Sequence, residues 1–158
     1  MSRLVPLALL LVFAGCGFQL QGALTVPPEM ERTYILAVDR HSGFYRDVRA
    51  AFRAAGIDVV DSPADATATF TIAFDQTGQR VLSVSARNVP TEYEVYYTIE
   101  YSLHSGEKNL LAMQTRTLTG DYTYDSTLVL GKSREEELIR DAIVDDLVRI
   151  VLKQISAL

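Results

Sequence analysis

Tryptophan is absent from this 158-residue chain, histidine occurs twice, and cysteine occurs once, at position 16. A single cysteine excludes an intramolecular disulfide and a metal site built from paired thiolates. His41 and His104 stand far apart in sequence, and no spacing joins either to a ligand set or a nucleophile. No Gly-rich phosphate loop is present. Ser, His and Asp can be combined on paper in any chain this size, but no motif places them. Positive charge is also scarce: Lys and Arg number 15 against 20 Asp and Glu, a net charge of −5. That balance argues against general binding to nucleic acid or to anionic lipid, so an anionic ligand would need a local cluster of cations. Most of the cations are Arg, which suits bidentate contact with phosphate or carboxylate. These absences argue against an enzyme and imply neither a metal nor a cofactor.

The N-terminus carries a clear signal. Arg3 is the only charge before an apolar run from Leu4 to Phe13, which ends in Ala14-Gly15-Cys16. The run is shorter than the about 20 residues needed to span a bilayer. A positive start, a short apolar stretch and small residues before a cut describe a secretory signal. An ordinary signal with a chance cysteine behind the cut is the plainer alternative. Against it, the one cysteine stands where the apolar run stops, behind small residues, and an exported lone cysteine has no disulfide partner. Residues 1–15 are therefore expected to be a lipoprotein signal peptide, with Cys16 the lipidation site. Phe13, where such signals usually carry Leu, is a departure. Several acyl chains, at about 0.8 kcal/mol per buried methylene, anchor durably. Gly17, where Asp would retain a bacterial lipoprotein, favours export to the outer membrane.

Behind Cys16 the chain has the length of one domain. Pro27-Pro28 separates an acylated tether, residues 16–32, from a single domain, residues 33–158. Thr33 to Val38 predicts a buried strand. Ser42 or Gly43 can cap a helix with Phe44, Val48, Ala51, Phe52 and Ala55 on one face, ended by Gly56. From Ala66 to Asp75 apolar residues alternate with threonines, the period of a half-buried strand. Gln76-Thr77-Gly78-Gln79 predicts a turn, and Val81 to Ala86 a returning strand. Between Glu92 and Leu103 the odd positions (Tyr93, Val95, Tyr97, Ile99, Tyr101, Leu103) are apolar or aromatic, while Glu92, Glu94 and Glu100 fall on the other face. One face should pack and the other meet water. His104 to Glu107 makes a hairpin loop, with Leu110 to about Tyr122 returning. Ser133 with Glu136 forms a capping box for a last helix with Leu138, Ile139, Ala142, Ile143, Leu147, Ile150, Val151 and Ile155 on its apolar face. Glu135 to Glu137 read as first-turn charges, and Asp145-Asp146 as its solvated face. The order β-α-β-β-β-β-α predicts an α+β fold, two helices packed on one face of a mixed, mainly antiparallel sheet, a two-layer sandwich.

Several segments resemble the LPS-assembly lipoprotein LptE family: Cys16-Gly17-Phe18-Gln19-Leu20-Gln21-Gly22, the Gly56-Ile57 turn with Val59-Val60-Asp61, and Thr91-Glu92-Tyr93-Glu94. Tyr122-Thr123-Tyr124-Asp125 and Leu130-Gly131-Lys132, before the Glu-rich helix, continue the likeness in the same order. Each motif alone is weak; the ordered set covers nearly all of the chain behind Cys16. The resemblance implies a non-enzymatic outer-membrane lipoprotein that plugs the β-barrel protein LptD, assists its assembly and binds lipopolysaccharide. By local motif match, the family's lipopolysaccharide-binding cations fall on Arg87 and Lys132, both expected in loops, where exposed charge suits binding. Gln21 departs from the family's usual basic residue. Plain solvated loop cations are the rival reading of Arg87 and Lys132. Two other functions stay open at this point: an envelope lipoprotein serving a different partner (a transport accessory or a peptidoglycan-associated protein), and a diverged lipid-anchored hydrolase.

Overall fold

The computed structural model of the protein describes residues 25–125 and 127–158; Cys16 and Gln21 lie outside them. After a short 3-10 turn at Pro28–Met30, the chain forms β1 (Arg32–Ala37) and α1 (Gly43–Ala54), then β2 (Asp58–Val60), β3 (Ala68–Val84), β4 (Pro90–Ser105), β5 (Lys108–Thr123) and α2 (Val129–Ile155). The strands make one sheet in the order β2-β1-β3-β4-β5. β1 is parallel to both β2 and β3, while β3, β4 and β5 form a long antiparallel meander. The helices pack side by side on one face, enclosing a single core. The expected α+β sandwich is therefore the observed architecture.

Local chemistry sets the first helix. The Ser42 hydroxyl accepts from the Tyr45 amide at 3.0 Å and caps α1. Phe44, Val48 and Phe52, four residues apart, are fully buried. Beyond the end, the Ile57 amide donates to Phe52 O and the Gly56 amide to Arg53 O, both at 3.0 Å. That paired closure requires the left-handed backbone Gly56 adopts, φ 86°. Phe52 then meets Phe70 of β3 edge-on at 5.2 Å between ring centroids, and Phe70 meets Tyr101 of β4 at 5.8 Å. Val95, Tyr97, Ile99, Tyr101 and Leu103 are all buried, so that face packs as expected. On the other face Glu92 is exposed, but Glu94 is largely buried and Ser102 is buried.

Four local expectations are corrected. Gln76 to Gln79 is no turn: β3 runs on through Val84, and its whole length pairs with β4. Gly78 is there because the Tyr96 ring lies over it, where an added Cβ would come within 2.5 Å of Tyr96 Oη. The chain reverses instead at Ser85–Val89, with Asn88 in the left-handed region at φ 59°, a conformation Asn tolerates. Pro90 opens β4 opposite Val84, a position where its missing N–H is harmless. β2, a three-residue parallel strand, was not predicted, so the predicted strand count is right for the wrong reasons. Finally α2 begins at Val129, without a side-chain cap at Leu128. Ser133 therefore lies inside the helix, and Leu138 and Ala142 are exposed; the buried face is Ile143, Val144, Leu147, Val148, Val151 and Ile155.

Candidate functional site

The two cations singled out in the sequence lie at one end of the sheet. Arg87 is exposed in the β3–β4 turn, and among the described residues it has no hydrogen-bond or ion-pair partner. Lys132 lies close by in chain connectivity. Glu92 of β4 pairs with Thr123 of β5, the Tyr124 amide donates to Thr91 O at 2.8 Å, and the Leu128 amide donates to Asp125 O at 3.0 Å. The start of α2 is thus tied to the same end of the sheet as the β3–β4 turn. Asp125 shapes that entry by accepting from the Thr127 amide at 2.8 Å and its hydroxyl at 2.7 Å. Those bonds hold its carboxyl below the usual carboxylate range, with Lys132 contributing less.

Lys132 is not the loop residue expected. It occupies the first turn of α2, where its amide donates to Leu128 O at 3.0 Å. Its ammonium donates to Glu135 Oε2 at 2.7 Å, and only 18% of the side chain is exposed. A cleft of about 260 Å³ adjoins, lined by Leu82, Glu92, Asp121, Tyr122, Thr123 and Glu135. Around this end Val81, Leu82, Val84, Val89 and Leu128 are about half exposed. The sequence hinted at neither the cleft nor its carboxylates. Glu92 and Asp121 come together only through the β4–β5 register, and Glu135 only through the early start of α2.

A second polar centre lies deeper. Asp75 of β3 accepts from the Ser42 hydroxyl and from the Tyr97 hydroxyl at 2.6 Å. Burial, then the Asp75 hydrogen bond, pushes the Tyr97 phenol well above its ordinary value. Serine, carboxylate and phenol here have no histidine among them, so the group has no general base of the serine-hydrolase kind. Its work is to fasten the start of α1 to the sheet. His41 sits in the β1–α1 loop, its amide on Asp39, while His104 pairs with Thr69 near the end of β4. Among the described residues no group of three or more His, Cys, Asp or Glu could hold a metal ion, and no helix is long and apolar enough to cross a membrane.

Fold and site define a small two-layer α+β domain that gathers cations, carboxylates and exposed apolar side chains at one hairpin end. The chain belongs to the LptE family, described as lipopolysaccharide-assembly, which it matches over residues 30–155. It is 24% identical over 147 residues to the LPS-assembly lipoprotein LptE of Yersinia enterocolitica, spanning 92% of this chain and 70% of that one. To the protein of the same name from Yersinia pestis it is 22% identical, over 98% and 74% of the two chains. Among solved structures, an uncharacterized lipoprotein B from Nitrosomonas europaea superposes with a TM-score of 0.74 at 26% identity, covering 89% of this chain and 91% of that one. The rare lipoprotein B of Shewanella oneidensis shares the fold, with a TM-score of 0.69 at 22% identity over 80% and 94%.

Proposed function

We propose that this protein is the outer-membrane lipoprotein subunit of the lipopolysaccharide transport machine. In this reading residues 1–15 are removed, Cys16 carries the acyl anchor, and residues 16–32 tether the domain to the outer membrane. The domain plugs and helps assemble the LptD β-barrel, and Arg87 and Lys132 bind lipopolysaccharide. The observation carrying the proposal is family membership over residues 30–155. The hairpin end supports the ligand assignment on chemical grounds. Lipopolysaccharide presents phosphates beside acyl chains, and this end offers Arg87 and Lys132 beside Val81, Leu82 and Val84.

The test uses the tagged full-length protein and Arg87→Asp/Lys132→Asp. A large β-barrel should co-purify with both, because an interface spreads over many residues and two rim charges carry little of it. The double variant should bind lipopolysaccharide about tenfold more weakly, the scale of lost charge-assisted hydrogen bonds, with unchanged far-UV circular dichroism. Unchanged affinity removes these residues from the site. Absence of a barrel and of any affinity in the wild type overturns the whole reading.

A further inference from the structure

The two cations are not equivalent. Arg87 has no partner among the described residues, whereas Lys132 is four-fifths buried and already bound to Glu135 at 2.7 Å. Residues three apart on a helix face one another, so this contact needs no rearrangement to form. Glu135 also walls the adjoining cleft, together with Glu92 and Asp121. Glu92 is held there by the Ser83 hydroxyl, which donates to it at 2.8 Å. A small anion entering the cleft beside Lys132 therefore meets three carboxylates. It would also have to displace one carboxylate merely to replace it with another anion, an exchange with little net gain.

An amphiphile faces a different balance. Leu82 lines the same cleft, and Val81, Leu82 and Val84 are 46%, 46% and 52% exposed. Acyl chains laid on that surface leave water, and apolar burial gives the driving force that the ion exchange lacks. We infer that Glu135 is the specificity-determining residue of this site: an intramolecular competitor that occupies Lys132, excludes free phosphates and admits only phosphorylated ligands that bring apolar mass. The inference rests on Lys132 being a phosphate-binding residue, as proposed above.

The experiment measures binding of purified lipopolysaccharide and of inorganic pyrophosphate to the full-length acylated protein. Wild type, Glu135→Gln, Lys132→Gln and the double variant are compared. Glu135→Gln should tighten lipopolysaccharide binding about threefold, the scale of one partly exposed ion pair, and bring pyrophosphate binding into the measurable range. Lys132→Gln should weaken lipopolysaccharide binding, and the double variant should match Lys132→Gln. Glu135→Ala, which removes the acceptor altogether, should behave as Glu135→Gln. Glu137→Gln is the charge control: it removes a carboxylate two residues on, paired to Arg134 on the exposed side, and should change neither affinity. If Lys132→Gln leaves binding unchanged, the phosphate-binding reading of Lys132 falls and the competitor with it. If Lys132→Gln weakens binding but Glu135→Gln does not tighten it, or Glu137→Gln tightens it equally, the competitor alone falls.

Discussion

Tyr97, Glu94 and Gly120 each take their part in the fold from a residue on another element: Asp75, Arg80 and Ile139. The odd positions from Tyr93 to Leu103 follow from alternation alone. That Tyr97 would donate to Asp75, or that Glu94 would be largely buried against Arg80, depends on the β3–β4 register, which no local pattern states. Gly120 is the sharpest case. In the sequence it sits among strand residues as an apparent weakness. In the fold a Cβ there would stand 2.7 Å from Ile139 Cγ2 and 3.7 Å from Ile143 Cδ1, so glycine lets α2 approach β5. Gly120→Val should lose about 1–3 kcal/mol by overpacking, measured by urea denaturation. Ile139→Ala, introduced with it, should recover part of that loss. Wild-type stability in Gly120→Val would show that the helix does not sit this close.

At the scale of elements, local polarity does not mark reversal: Gln76 to Gln79 look like a turn but continue β3. Gln76 to Gln79 are polar because β1 covers β3 only through the Ala37–Ile72 pairing, leaving the far half of β3 beside water. The capping box at Ser133 and Glu136 lies inside α2, which starts a turn earlier, at Val129. The helix pair also carries a charge conflict the sequence showed only as solvated acids. Asp47 of α1 has its carboxyl raised above the ordinary value, chiefly by partial burial, then by Asp145 and Asp141 of α2, with Arg46 opposing. The folded state therefore binds this proton more tightly than the unfolded state does. Its ionised form costs stability at neutral pH, and that cost is relieved as pH falls through the interval between the raised folded value and the ordinary unfolded one. Asp47→Asn should be more stable than wild type near pH 7, and its advantage should shrink towards about pH 3.5. Paired urea melts at the two pH values read the difference directly. An advantage that stays constant, or grows on acidification, would contradict this account of the helix pair.

For the whole molecule, the decisive property is polarity from end to end, which depends on β1 running parallel to β3. The Glu29 carbonyl accepts from Thr67 at 2.7 Å, and its carboxylate pairs with Lys108 at 2.7 Å. The chain thus enters the domain beside the β4–β5 hairpin. Arg87 and the start of α2 lie at the opposite end, separated by the length of β3, 17 residues, or roughly 50 Å at strand spacing. No local pattern in the sequence says that the fold sets the Glu29 entry and the two cations at opposite ends. If Cys16 bears the acyl chains, as proposed, the Glu29 end is the one held near the bilayer, and the cationic end stands off from it. Fluorophores on Glu107→Cys and on Ala86→Cys, in the β4–β5 and β3–β4 turns respectively, can read this. In the acylated form proposed above, Cys16 would not compete for the label. On vesicles whose lipids carry a nitroxide quencher, the label at position 107 should be quenched clearly more than the label at 86. Equal quenching would mean that the domain lies flat on the surface, and stronger quenching at 86 would mean that the cationic end, not the tethered end, faces the membrane.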